Sequence, residues 1–265
     1  MRQHGLPAPK VDTSRPHTPA RIYDYLLGGK DNYEVNELAV DELVAAVPEV
    51  RIETRVNRAF LERAVRYVVG SGLRQILDIG TGMPHSPNVH EIARQMASVI
   101  RVAYDDNDPI MVVHADALLC TSDATSAVLA DLRDPHAIVG HPSVPRLIDF
   151  NEPVALLLES VLHFLLQTEA PEQIMATLRD VLAASSFLVL SHAMGDFADC
   201  TKTQPVYKRA TASPSVSRAE TERFLSGFEL VQPGLVQIPL WRPDTPPPAK
   251  ADKVGIYGGV ARKIS

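Results

Sequence analysis

The sequence predicts an α/β protein: a doubly wound, mostly parallel sheet of seven strands with an antiparallel last strand, behind an N-terminal helical cap. Three observations carry this. From residue 75 onward, short apolar runs alternate with helix-like segments, the pattern of parallel strands joined by crossover helices. The first run ends in an aspartate followed at once by a Gly-x-Gly turn, "ILDIGTGMP" (76–84). The last two runs, "FELVQPGLVQI" and "YGGVARK", are separated by a Pro-rich loop rather than a helix, which suits an antiparallel hairpin at one edge of the sheet.

The elements follow in order. Residues 1–17 are polar and Pro-rich, with little to bury, and read as an arm or tail. Thr18-Pro19 supplies an N-cap followed by proline at the first helical position, so a short helix is expected over 20–27, stopped by Gly28-Gly29. A second helix is expected over 37–46. A third is expected over 53–69, where Val56, Phe60, Leu61, Ala64, Val65 and Val68 recur at helical spacing. Buried strands are expected at 75–79, 100–105, 126–131, 153–159 and 186–192. Helices over 88–97, 108–119, 134–140 and 171–183 lie between them, with a further helical signal at 218–226. The chain reads as one structural domain in two parts, an arm and cap over 1–70 and a core over 71–265.

Composition narrows the function classes. At 265 residues the chain can bury a sizeable core, and 45% hydrophobic with 22% charged residues is ordinary for a globular protein. No apolar run approaches the roughly 20 residues that span a bilayer. The opening residues hold no apolar stretch of the secretory kind, and two cysteines, Cys120 and Cys200, make no disulfide framework. A cytoplasmic protein is expected. The net charge of −6 argues against a nucleic-acid partner, which calls for a basic face.

Two glycine-bearing stretches compete for a ligand. "RIYDYLLGGKDNY" (21–33) looks like a phosphate loop, but Asp24 stands where such a loop needs its first glycine and Asp31 follows Lys30 in place of Ser or Thr. A carboxylate there repels phosphate. The turn at Asp78-x-Gly80-x-Gly82 is better placed, at the carboxyl end of the first strand, where open α/β sheets bind ligands. Glycine there lets a ligand lie against the backbone. A dinucleotide site calls for a third glycine at position 85, where this chain has His85. Asp78 also suits a cationic amine better than a pyrophosphate. Asp105 and Asp106 end the second strand, where a carboxylate can accept both hydrogen bonds of a ribose diol. Asp131 ends the third strand, where it suits either an adenine amine or the cap of the next helix. Three acids at successive strand ends describe a pocket for adenosine bearing a cationic amino-acid arm and no phosphates.

These segments, together with "NRAFLERAVRYV", "QILDIGTGMPHSPNVHEIARQM", "RVAYDDNDPIMVVHADALL", "ADLRDP" and "PVALLLESVLHFL", closely resemble a bacterial S-adenosyl methyltransferase family, the DUF574 or methyltransferase-19 group. The resemblance runs from about residue 15 to 262. It implies the Rossmann-like fold of class I methyltransferases, S-adenosylmethionine as cofactor, and cofactor contacts from Asp78, Gly80, Thr81, Gly82, Asp106, Asn107, Asp131 and Leu132. It also implies a contact from Asn57 and Arg58 to the cofactor's carboxylate, where the residues alone read as a solvated helix face. The chain departs from the family pattern at Met83, His85 and Asp105, so Asp106 matches the ribose acid and Asp105 reads as a surface variation.

No catalytic residue is assigned. Glu159, ending the fourth strand, and His163, just after it, are candidates on the acceptor side, with packing or hydrogen bonding the favoured role for His163. His85, His90 and His114 complete no metal ligand set, and His90 is expected to face the sheet. With the cofactor placed at 78–82, the 21–33 stretch reads either as a surface turn or as a lid, with Gly28 and Gly29 as its helix stop and hinge and Tyr23, Lys30, Asn32 and Tyr33 as contacts to cofactor or acceptor. The function expected is in-line methyl transfer to an unidentified, small-molecule acceptor, with a homodimer as the candidate assembly. The alternatives are a non-catalytic module that binds S-adenosylmethionine or S-adenosylhomocysteine for regulation, and a nicotinamide-dependent oxidoreductase, against which His85 counts.

Overall fold

The computed structural model describes residues 19–29, 34–46, 50–193, 217–247, 251 and 254–264. The expected arm at 1–17, and Lys30, Asn32 and Tyr33 of the expected lid, lie outside the described residues.

Five parallel strands form the body of the sheet: β1 (Gln75–Ile79), β2 (Arg101–Asp106), β3 (Thr125–Leu129), β4 (Ala155–Glu159) and β5 (Phe187–Ala193). The C-terminal β8 (Ile256–Lys263) pairs antiparallel with β5. On its other side β8 carries both β6 (Phe228–Leu230) and β7 (Val236–Gln237), also antiparallel. The order is β3-β2-β1-β4-β5-β8-β6. The sheet has eight strands rather than seven because a turn at Pro233-Gly234, closed by the Gly234 N–H on the Val231 carbonyl at 2.8 Å, divides the edge run in two.

Both faces of the sheet are covered, which is why its strands read as unbroken apolar runs. Ile76, Val102, Leu157 and Val189 face one core, closed by α3 (Val50–Gly70) and α4 (Val89–Met96). Leu77, Ala103, Leu156, Leu158, Leu188 and Leu190 face the other, closed by α6 (Pro135–Val139), α7 (Val144–Leu147) and α8 (Pro171–Val181). Helix α5 (Pro109–Leu118) joins β2 to β3, and α9 (Arg218–Arg223) precedes β6. The short α7 and the 3-10 turns at Leu162–Phe164 and Gln167–Glu169 had no signal in the sequence, being too brief to show a period. Boundaries elsewhere differ by a few residues. The one that matters is β3, which stops at Leu129 and leaves Asp131 beyond the strand.

Helix α3 ties the chain together. Arg63 donates to the Trp241 and Ile238 carbonyls at 2.9 and 2.8 Å, and Glu53 accepts from the Gly255 N–H at 2.8 Å. Trp241 is fully buried edge-on to Phe60 and Tyr67, with ring centroids 5.4 and 5.8 Å away. Helices α1 (Pro19–Leu27) and α2 (Glu34–Ala46) precede α3 and pack on each other. The Tyr23 hydroxyl of α1 donates to the Thr54 carbonyl at 3.2 Å and accepts from the Asn57 amide at 3.1 Å.

Two glycines end α1 for different reasons. Gly28 has φ +89°, the left-handed conformation that ends many helices. Gly29 sits against Asp24: its N–H donates to the Asp24 carbonyl at 2.9 Å, and a Cβ there would lie 2.0 Å from the Asp24 carboxylate. Gly29→Ala is therefore expected to displace buried Asp24 and loosen α1, seen as faster limited proteolysis near residue 29. Gly28→Ala, with open space around it, costs only its backbone strain, about 1 kcal/mol. Equal proteolysis of the two variants would contradict this account.

Candidate functional site

The chain runs from β1 outward through β2 and β3, then returns to the other side of β1 as β4. The carboxyl ends of β1 and β4 are thus the switch point where such sheets bind ligands. Asp78 stands near the end of β1 and Glu159 ends β4. A crevice lined by Arg74, Arg101 and Arg262 lies at the opposite ends of the strands.

The glycine turn is held by the neighbouring strand. The N–H groups of Gly80 and Thr81 both donate to the Asp105 carbonyl, at 2.8 and 2.9 Å, and the Thr81 hydroxyl donates to the Asp78 carbonyl at 3.1 Å. Gly80 (φ +72°) and Gly82 (φ +68°) take left-handed conformations. A Cβ on Gly80 would lie 2.4 Å from a Val161 methyl, so the strand-end segments approach too closely there for any side chain. Above Gly82, the place of a Cβ lies 3.8 Å from the Ala20 methyl, which brings α1 over the turn.

Asp106 joins the parts. One carboxylate oxygen accepts from the Gly82 N–H at 2.8 Å and the other from the Asp108 N–H at 2.9 Å. Each oxygen keeps a second lone pair. Asp108 caps α5 through the Ile110 N–H at 2.9 Å, and its other oxygen pairs with Arg21 of α1 at 3.4 Å, both side chains buried. Sequence reasoning missed Arg21 and Asp108; the Asp-Pro step that starts α5 was the legible signal for Asp108.

The acids of the site resist ionisation. Burial pushes Asp78 up to about 7, with Arg58 opposing and Asp106 adding to the shift. Burial likewise raises Asp106 to about 6, partly offset by the Asp108, Gly82 and Asn107 N–H groups. Asp105 corrects the sequence reading: it is no surface variation but 1% exposed, raised to about 8 by burial and by its acidic neighbours Asp106, Asp131 and Asp78. One of its carboxyl oxygens is buried with no hydrogen-bond partner.

Asp131 is half-exposed. Burial pushes its carboxyl up, but the Arg133 N–H, the Asn107 amide and the Arg133 guanidinium outweigh that and hold it below the usual range. The Arg133 N–H and Asn107 amide lie at 2.9 and 3.3 Å. It is not the cap of the next helix; Asp134 is, through the Ala137 N–H at 3.1 Å. Leu132 turns into the core beneath the sheet. Asn57 is buried rather than solvated, its amide committed to Tyr23. Arg58 donates to the His85 carbonyl at 2.5 Å and to the Pro87 carbonyl, bracing the glycine turn, while its Nε is buried without a partner. Burial pushes the Tyr23 hydroxyl up to about 12, with the Asn57 bond opposing.

On the β4 side, His163 is buried, its Nδ1 accepting from the Ala193 N–H at 3.4 Å, and burial keeps it neutral well below its ordinary value. Its ring packs on Phe164 and on His192, with centroids 4.3 and 5.4 Å away. Both oxygens of Glu159 are buried with no donor in hydrogen-bonding geometry, and burial raises it to about 8 against the pull of the nearby Ser191 hydroxyl. His90 faces the sheet as expected, its Nδ1 2.8 Å from the Tyr104 hydroxyl. No group of three or more metal-ligating side chains comes together among the described residues, and no described helix is long and apolar enough to cross a membrane.

These shifts fix a pH dependence. Folding raises Asp78, Asp105 and Glu159 above the ordinary carboxyl value near 4, so the folded state holds protons the unfolded chain has lost, and stability falls as pH rises through about 7 to 8. Buried His163 and His192 act oppositely, but only below about pH 6.5, where the unfolded imidazoles take protons. The thermal midpoint of the ligand-free protein is expected to drop between about pH 6.5 and 8, and Asp105→Asn to flatten that drop. A midpoint that rises over this range would contradict the buried-acid assignment.

The chain has relatives among known proteins. A family model described as S-adenosyl methyltransferase matches residues 4–264. No functionally curated protein matches the chain. A DUF574 family protein from Streptomyces avermitilis MA-4680 is 38% identical, with TM-score 0.89 over 95% of this chain and 99% of its own. A candidate methyltransferase from Thermobifida fusca YX is 35% identical, with TM-score 0.90 over 96% of this chain and 97% of its own. The plantazolicin methyltransferase BamL, solved with S-adenosylhomocysteine and a desmethyl plantazolicin analogue, shares the fold alone: 10% identity and TM-score 0.56 over 93% of this chain and 96% of its own. With nearly its whole length matched, the chain belongs to the S-adenosyl methyltransferase family.

Proposed function

We propose that this S-adenosylmethionine-dependent methyltransferase holds its cofactor in the crevice between β1 and β4 and passes the methyl group to a small-molecule acceptor. One observation carries the placement: Asp106 is clamped by the Gly82 and Asp108 N–H groups, yet each of its oxygens keeps a lone pair for the ribose hydroxyls. Asp78 is the partner for the cofactor's ammonium, and that cation offsets the burial that now keeps the carboxyl from ionising. Gly80, Thr81 and Gly82 give the cofactor close approach to the backbone. Asp131, with Asn107 and Leu132 beside it, faces the adenine. The buried, unpartnered Nε of Arg58 supports a contact to the cofactor's carboxylate; Asn57, whose amide serves Tyr23, acts through that hydroxyl.

The cofactor brings an activated methyl group, so the protein's work is to orient donor and acceptor and exclude water. The segment up to residue 70 acts as the cap, with α1 as the part that closes. Ala20 above Gly82 and the Arg21–Asp108 pair support this, and Tyr23, Gly28 and Gly29 belong to the same closing segment. The acidic net charge favours a small acceptor over nucleic acid.

Calorimetry with S-adenosylhomocysteine tests the placement. The wild-type protein is expected to bind, and Asp106→Asn, which loses charge-assisted hydrogen bonds, to bind about 10- to 100-fold more weakly. Wild-type protein that fails to bind, or Asp106→Asn that binds as well as wild type, would overturn it.

A further inference from the structure

Glu159 is the acid that the cofactor leaves over. In the placement above, Asp106 takes the ribose, Asp78 the ammonium and Asp131 the adenine. Glu159 stands on the other lip of the crevice, at the end of β4, with both carboxyl oxygens buried and without a hydrogen-bond partner. Asp78 from β1, Arg58 and Arg63 from α3, the Tyr23 hydroxyl from α1 and the Ser191 hydroxyl from β5 all act on it. None of them neutralises it. Arg58 is turned to the His85 and Pro87 carbonyls, and Arg63 to those of Ala59, Ile238 and Trp241. The Ser191 hydroxyl, which accepts the Ser160 N–H at 3.0 Å, pulls the Glu159 carboxyl down but is neutral and supplies no counter-charge.

A carboxyl placed like this is a liability in a packed core, where an unpaired polar group loses its water and gains nothing. At the mouth of a binding crevice the same placement favours one kind of visitor, a cation that brings its own hydrogens. We infer that Glu159 binds the acceptor, and that the acceptor presents a protonated primary or secondary amine. This deepens the methyl-transfer reading and rests on it. The chemistry balances without a further reagent. The ammonium passes a proton to Glu159, the freed nitrogen lone pair forms the new N–C bond as the donor's C–S bond breaks, and that bonding pair stays on sulfur. Glu159 thus holds the amine near the methyl group and takes the proton that must leave before nitrogen can attack.

The test uses the full chain saturated with S-adenosylhomocysteine, titrated calorimetrically at pH 7 with matched probes: benzylamine against benzyl alcohol, and phenethylamine against phenethyl alcohol. The amines are expected to bind wild-type protein about tenfold or more tightly than the alcohols. Glu159→Gln is expected to abolish that preference while leaving S-adenosylhomocysteine affinity unchanged. Glu159→Asp, which keeps the charge, retains a weakened preference and serves as the variant if Gln does not fold. Equal binding of amines and alcohols to wild type, or a preference that survives Glu159→Gln, overturns the inference and leaves the methyl-transfer reading standing. Weakened S-adenosylhomocysteine binding in Glu159→Gln also overturns it, by assigning the carboxyl to the cofactor's own ammonium. Failure of wild type to bind S-adenosylhomocysteine overturns the methyl-transfer reading itself.

Discussion

The Asp106 carboxylate is the constraint on which the candidate site turns. It sits at the end of β2 and accepts from Gly82 in the turn after β1 and from Asp108 at the start of α5. Through Asp108 it is one step from Arg21 and the first helix. The same carboxylate therefore sets the shape of the glycine turn, the start of α5 and the seat of α1. A residue that is 8% exposed and so heavily engaged would ordinarily be counted as structural. The lone pairs it retains are what allow it to serve a ligand as well.

Charge explains the rest of the crevice. Asp78, Asp105, Asp106 and Glu159 crowd one end of the sheet, and burial raises all four. The two arginines nearest Glu159 give their hydrogens to backbone carbonyls, bracing the loop after Gly82 and the Trp241 segment. The empty-handed protein carries this acidity as a cost that rises with pH. A cation in the crevice removes that cost, so ligand affinity and stability are two readings of the same electrostatics.

Much of this was legible in the sequence because each signal was local. A strand ending in Asp78, glycines at 80 and 82, and an acid closing the next strand are short-range patterns with short-range causes. The covered sheet likewise announced itself in unbroken apolar runs. What escaped were relations between distant residues. Nothing in "YDDND" tells a buried Asp105 from an exposed one, since the strand's pleat and the neighbouring loop decide it. Nothing in Arg21 points to Asp108, 87 residues away. The division of the edge run into β6 and β7 depended on which part of β8 each half could reach. Gly28-Gly29 shows both limits: the helix stop was readable, while the reason for the second glycine, the Asp24 carboxylate against it, was not.

The most direct test is a crystal structure of the chain with S-adenosylhomocysteine bound. The account predicts both ribose hydroxyls within hydrogen-bond distance of the two Asp106 oxygens, with the Gly82 and Asp108 N–H groups still donating to them. A ribose seated elsewhere, or an Asp106 side chain that has left Gly82 to reach it, would contradict the account.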